Sequence, residues 1–132
     1  MRTVLTFLLL ALHLAADEGW KPAAPGYRFA FPDDHASHPD YRIEWWYWTG
    51  NLETAEGQRF GYQLTFFRSG VEQDPGGTST WSIRDLYLAH FAVSDLGAEK
   101  FHHAQQLHRA GIARAGDTFD PATGTTQVWN DR

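Results

Sequence analysis

The sequence predicts an all-β fold, an antiparallel sandwich or barrel, and three observations carry that prediction. From residue 41 onward, aromatic and β-branched residues gather in short runs. Within those runs side chains alternate between two faces, the period-two pattern of a strand. Clusters of Gly, Asn, Asp and Pro separate them, as turn-rich loops separate the strands of sandwiches and barrels.

The first strand is read in "YRIEWWYWTG", residues 41–50, which has no breaker before Gly50. Alternation sends Glu44, Trp46 and Trp48 one way and Ile43, Trp45, Tyr47 and Thr49 the other. "NLETAEGQ" is expected to connect it to the second strand, with Gly57 as the turn residue. That strand, "RFGYQLTFFRS", divides into Phe60, Tyr62, Leu64, Phe66 and Gly61, Gln63, Thr65, Phe67. A Gly- and Pro-containing loop follows, and then "WSIRDLYLAHFAVSD" as the third strand. Asp95 to Ala98 form a turn. "KFHHAQQLHRAG" suits a strand or a short helix, and its strand neighbours favour the strand. A turn at Pro121 to Gly124 leads into a last strand beginning "TQVWND".

Two segments precede the β region. Residues 17–40 carry Pro22, Pro25, Pro32 and Pro39, each of which removes a backbone donor and restrains its neighbour. We expect an irregular, extended lead-in that drapes over the domain. Residues 1–16 place Arg2 before an apolar run from Val4 to Leu12, with Ala15 and Ala16 next. That is the pattern of a secretory signal peptide cut near Ala16, so a secreted or periplasmic product is expected. The run is shorter than the roughly 20 apolar residues a membrane helix needs, so no stable span is expected after cleavage.

Composition narrows the function. A net charge of −5 argues against a nucleic-acid partner, which calls for a basic footprint. With no Cys there is no disulfide, thiolate metal site or Cys nucleophile. The serines lack a G-x-S-x-G setting, and "DPGGTST" lacks the Lys and spacing of a phosphate loop. No cofactor is expected.

Taken together and in order, "FPDDHASHPDYRIEWWYWTGNL", "GQRFGYQLTFFRSG", "LYLAHFAVSD" and "KFHHAQQLHRAG" resemble the N-terminal domain of the AttH-like family, over about residues 30 to 132. This family includes the carotenoid 1,2-hydratase (hydroxyneurosporene synthase) type and members labelled secreted hydrolases. The resemblance implies two consecutive lipocalin-like (calycin) β-barrels, export, and association with a transporter of the ABC class. Residues 41–132 are then one partial lipocalin-like domain, the front portion of a two-barrel protein whose second domain is missing here. The resemblance carries no catalytic residue over to this chain and implies no metal.

Candidate residues follow from the strands. Of Trp45, Trp46, Tyr47 and Trp48, either one set fills the core while the other packs under the lead-in or against a second domain, or they line a cavity for an apolar ligand such as a lipid or isoprenoid. Glu44, an acid in an apolar stretch, is either ion-paired, with Arg42, Arg68, Arg84 and His90 as candidate partners, or a general acid. His90 is either a satisfied core or rim residue or, if it shares a cavity with Glu44, half of an acid–base pair. Asp33, Asp34, His35, His38 and Asp40 of "DDHASHPD" invite a metal reading, but the Pro-bounded setting favours a structural or capping loop, and we name no metal ligand. His102, His103 and His108 read as surface or rim residues, and Asp85 as a turn or pairing residue.

The expected function is an exported protein binding a hydrophobic or amphipathic small molecule, as an accessory to an ABC transporter. The alternatives are a hydratase adding water to an isoprenoid C=C bond and a purely structural domain.

Overall fold

The period-two pattern is realised as six strands. The computed structural model describes residues 19–76, 79, 81–111 and 114–130, so the signal-peptide reading of residues 1–16 lies outside them. Strands β1 (Ile43–Glu53), β2 (Arg59–Gly70), β3 (Asp85–Asp95) and β4 (Lys100–Arg109) form an antiparallel meander in that order. Strands β5 (Ala115–Asp120) and β6 (Thr125–Asn130) form a separate hairpin. A 3₁₀ turn at Asp33–His35 is the one helical element among the described residues. The fold is therefore all-β and antiparallel, as expected, and the four-stranded sheet stays open, with β1 and β4 as its edges.

The turns are built by local hydrogen bonds. Between β1 and β2, Thr54 and Gln58 pair through their backbones (2.9 Å), and Gly57 takes φ +82°, where a side chain would be strained. Between β3 and β4, Asp95 Oδ1 accepts from the backbone N–H groups of Gly97 and Ala98, an Asx-type turn.

The strands differ from the sequence reading in several places, and β1 begins at Ile43 rather than Tyr41. Asn51 to Glu53 continue β1, because Arg59, Phe60 and Gly61 across the hairpin give them ladder partners. The third strand starts at Asp85 rather than Trp81. β5 was not anticipated: "AGDTFD" has no strong alternation, and it is a strand because β6 pairs with it along its whole length. The segment with the strand-or-helix ambiguity is the strand β4, paired with β3 from Lys100 to Arg109.

The ladder register fixes two faces. Glu44 stands opposite Arg68, Arg68 opposite Tyr87, and Tyr87 opposite His108. This row shares a face with Trp46, Trp48 and Phe66. Ile43, Trp45, Tyr47, Phe67, Leu86, Leu88, His90 and Leu107 belong to the opposite face.

The lead-in and the β5–β6 hairpin cover one end of the first face. Thr126 Oγ1 donates to the His35 carbonyl, Asn130 Nδ2 donates to the carbonyls of Tyr87 (3.1 Å) and Gln106 (2.9 Å), and the Tyr87 hydroxyl donates to Asp117. The buried centre is accordingly Arg68, Asp85, Tyr87 and Ala115, with Thr65 buried on the other face. The best-buried large side chain among the described residues is a cation, while many apolar side chains face solvent.

Candidate functional site

Glu44 begins the site. It is the first inward position of β1 on the covered face, directly across from Arg68. Arg68 is 1% exposed, so its guanidinium donors must all find acceptors. Nε and Nη2 both donate to Glu44 Oε2 at 3.3 Å, and Nη1 donates to Asp85 Oδ1 at 2.9 Å. Nη2 also reaches the carbonyls of His38 (2.9 Å) and Tyr41 (2.8 Å). One planar fork thereby joins β1, β2, β3 and the lead-in.

His38 closes the network from above. Its backbone N–H donates to Glu44 Oε2 (2.8 Å), and its Nδ1 lies 2.6 Å from Glu44 Oε1. Its Nε2 lies 3.1 Å from Asp34 Oδ1. An ionised carboxylate only accepts, so an imidazole between two carboxylates must donate from both nitrogens and is an imidazolium. Partial burial lowers the His38 pKa, but the hydrogen bonds it donates to Glu44 and Asp34 outweigh that and raise the value above 6.5.

Asp34 is held down to about 2, first by the Ala30 N–H and then by His38 and the Tyr27 hydroxyl. Tyr27, donating to Asp34 Oδ1 at 2.7 Å, is pushed up to about 12 by that bond. Farther along the row, Tyr87 is raised by burial first and then by its bond to Asp117.

A cleft of about 230 Å³ opens beside this network, between the lead-in and the start of β1. Tyr27, Phe29, Tyr41 and Ile43 line it, and His38 and Glu44 form its polar wall.

The structure sorts the sequence candidates. Of the four partners named for Glu44, it supplies Arg68. Arg84 instead approaches Asp85, at 3.9 Å. His90 does not meet Glu44: the two lie on opposite faces of the sheet, so the acid–base pairing is not formed. His90 packs edge-on against Phe67, with centroids 5.5 Å apart.

The aromatic quartet is split by the register. Trp46 and Trp48 share the Glu44 face, where Trp46 donates to the His35 carbonyl (3.3 Å) and Trp48 meets Phe66 edge-on at 6.2 Å. Trp45 and Tyr47 are on the open face, 55% and 60% exposed. They continue an apolar surface that includes Phe67, Leu86, Leu88 and Leu107, around a recess of about 250 Å³ bordered by His90.

Sequence reasoning read "DDHASHPD" as a structural or capping loop, and the structure gives that loop its partners. Asp34 and His38 sit at the centre of the network, and the ring nitrogens that invited a metal reading are both engaged by carboxylates. Tyr27 was missed entirely. The readable signal was the i, i+4 spacing of Asp34 and His38 just ahead of a strand that opens with an acid.

Comparison with known proteins gives the chain a family. The family model described as AttH-like matches residues 22–132. A crystal structure of a protein designated AttH, from Nitrosomonas europaea, is similar with a TM-score of 0.62 at 37% identity, covering 84% of this chain and 31% of that one. This chain thus spans less than a third of that relative's length. No curated protein matches it significantly.

Proposed function

The chain belongs to the AttH-like family, and from that premise we propose that it is an exported binding protein whose open sheet face takes up a hydrophobic or amphipathic small molecule. One observation carries the reading. Ile43, Trp45 and Tyr47 project from the edge strand into solvent on the same face as Phe67, Leu86, Leu88 and Leu107. A continuous apolar surface of this kind marks a binding site more often than a solvated face. Covering about 200 Å² of it would yield about 5 kcal/mol before the cost of ordering the ligand.

In this reading residues 1–16 are the signal peptide, residues 17–40 the lead-in and residues 41–132 the binding domain. Delivery to a transporter of the ABC class is the role we assign. Glu44 favours binding over alkene hydration: a hydratase needs a free acid to protonate its substrate, and both Glu44 oxygens are engaged by Arg68 and His38.

The test is a titration of the full chain with parinaric acid, a polyene whose emission rises in apolar surroundings. We expect saturable binding that Trp45→Ala weakens about tenfold, equivalent to about 1.4 kcal/mol. Trp48→Ala, on the opposite face, is expected to change it by less than about twofold. Equal effects of the two substitutions, or no binding by any of several lipids and polyenes, would sink the proposal.

A further inference from the structure

We propose, resting on the sheet-face reading, that the guest of that face is an amphipath with an uncharged, oxygen-bearing head, of the long-chain alcohol kind. Its tail lies over the Trp45 end of the sheet, and its head settles between Gln63 and His103.

The register draws a polarity boundary across the face. Trp45, Phe67, Leu88 and Leu107 stand level on the four strands and form a wholly apolar row. The next row on the same face is Tyr47, Thr65, His90 and Gln105, and the one after it is Thr49, Gln63, Ala92 and His103. His90 borders two recesses: the apolar one of about 250 Å³ and a second of about 270 Å³, lined by Gln63, Ala92, Phe101, His103 and Gln105. Ala92 stands between Gln63 and His103, and its short side chain gives the second recess its depth. From Ile43 to Thr49 the strand rises roughly 20 Å. One lipid chain spans about half of a bilayer core of roughly 30 Å. A single chain with its head therefore reaches across both recesses, and a small solute does not.

Charge selects the head. From that apolar row to the row of Asn51, Gly61, Ser94 and Phe101, this face carries no Asp, Glu, Lys or Arg. The charged side chains of the face stand at its ends: Glu53 opposite Arg59 at one, and Arg109 over the Trp81 ring at 4.8 Å at the other. Glu56 and Glu99 lie in the turns beyond the first end, and Arg84 lies beyond the second, beside Asp85. Asp95 and Lys100 are partners on the opposite face. A carboxylate, phosphate or ammonium head would leave water with no fixed opposite charge beside it. The chain's net charge of −5 at pH 7 adds repulsion for an anion.

Hydrogen bonding separates an alcohol from a bare hydrocarbon. Gln63 Nε2 donates to Thr65 Oγ1 at 3.3 Å, which fixes the amide and leaves its oxygen and a second N–H for a guest. His90 is held edge-on by Phe67, and His103 stacks on Phe101 with centroids 5.8 Å apart. Among the described residues neither ring, nor the Gln105 amide, has a hydrogen-bond partner. These groups supply donors and acceptors in neutral form, which is what a hydroxyl or carbonyl requires. A hydrocarbon over the same rows would cover them without replacing their bonds to water.

The experiment is a fluorescence titration of the full chain at pH 8 with three polyenes that share one tail: parinaric acid, the alcohol made by reducing it, and octadecatetraene, which has no head. The alcohol is expected to bind about fivefold or more tightly than the ionised acid. His103→Leu should weaken binding of the alcohol about threefold to fivefold and leave that of the hydrocarbon undiminished. The melting temperature should not move, because the imidazole is exposed. Binding of the acid as tight as that of the alcohol, or tighter, overturns the proposal. So does an equal loss of alcohol and hydrocarbon on His103→Leu, or no loss of either. In each of these cases saturable binding leaves the sheet-face reading standing. Failure of all three polyenes to bind removes that reading and the head-group assignment together, so the two failures are told apart.

Discussion

Arg68 shows how a buried charge can organise a small fold. Removing a charge from water is costly, and only a full set of partners offsets that cost. Here Glu44, Asp85 and two backbone carbonyls provide the set. His38 adds a titratable element to the same network. Its pKa is raised in the folded chain relative to 6.5, so its contribution is complete below 6.5 and is lost as pH rises through the folded value. Asp34 works in the opposite sense: held to about 2 against an ordinary 3.8, it contributes above 3.8 and loses that contribution as pH falls towards 2. The melting temperature of the wild type should therefore exceed that of His38→Gln most clearly at about pH 5 to 6, and the gap should narrow by about pH 9. A gap independent of pH across thermal scans would show that the imidazolium is not the stabilising form.

The lead-in docks on the sheet through close contacts as well as charge. Gly70, at the end of β2, donates its N–H to the Arg42 carbonyl (2.7 Å), and a Cβ there would sit 2.2 Å from the Trp20 ring. The absence of a side chain at position 70 is what lets the indole lie against the backbone. Gly70→Ala is expected to cost about 1–3 kcal/mol in urea denaturation. Adding Trp20→Ala should recover part of it, since the clash then disappears; no recovery would point to backbone conformation instead. The role of Gly70 was not legible in the sequence, where it reads as the first residue of a loop, because its partner lies fifty residues earlier.

Across the molecule, the hairpin β5–β6 is joined to the sheet mainly by polar bonds at Tyr87, Gln106, His108 and Asn130. Tyr87→Phe removes the hydroxyl bond to Asp117 and keeps the ring. We expect amide hydrogen exchange in β5 and β6 to accelerate by about tenfold or more, with β2 and β3 little changed, as a bond to a carboxylate is worth about 1.5–3 kcal/mol. Uniform acceleration would mean that hairpin and sheet open as one unit.

Alternation along residues 43–49 and 59–69 already assigned every aromatic residue of β1 and β2 to its face, because in a strand that assignment depends only on local geometry. The antiparallel, all-β class was legible for the same reason. The choice of Arg68 rather than Arg42, Arg84 or His90 for Glu44, the separation of His90 from Glu44, and the seating of His38 between two carboxylates were decided only by the tertiary structure. Each depends on strand register and on a lead-in folding back across the sheet. The Arg68–Glu44 contact joins residues 24 apart in the chain, a pairing that spacing and composition do not encode, whereas His38 is near Asp34 and Glu44 in sequence and is seated by the path the lead-in takes over the sheet.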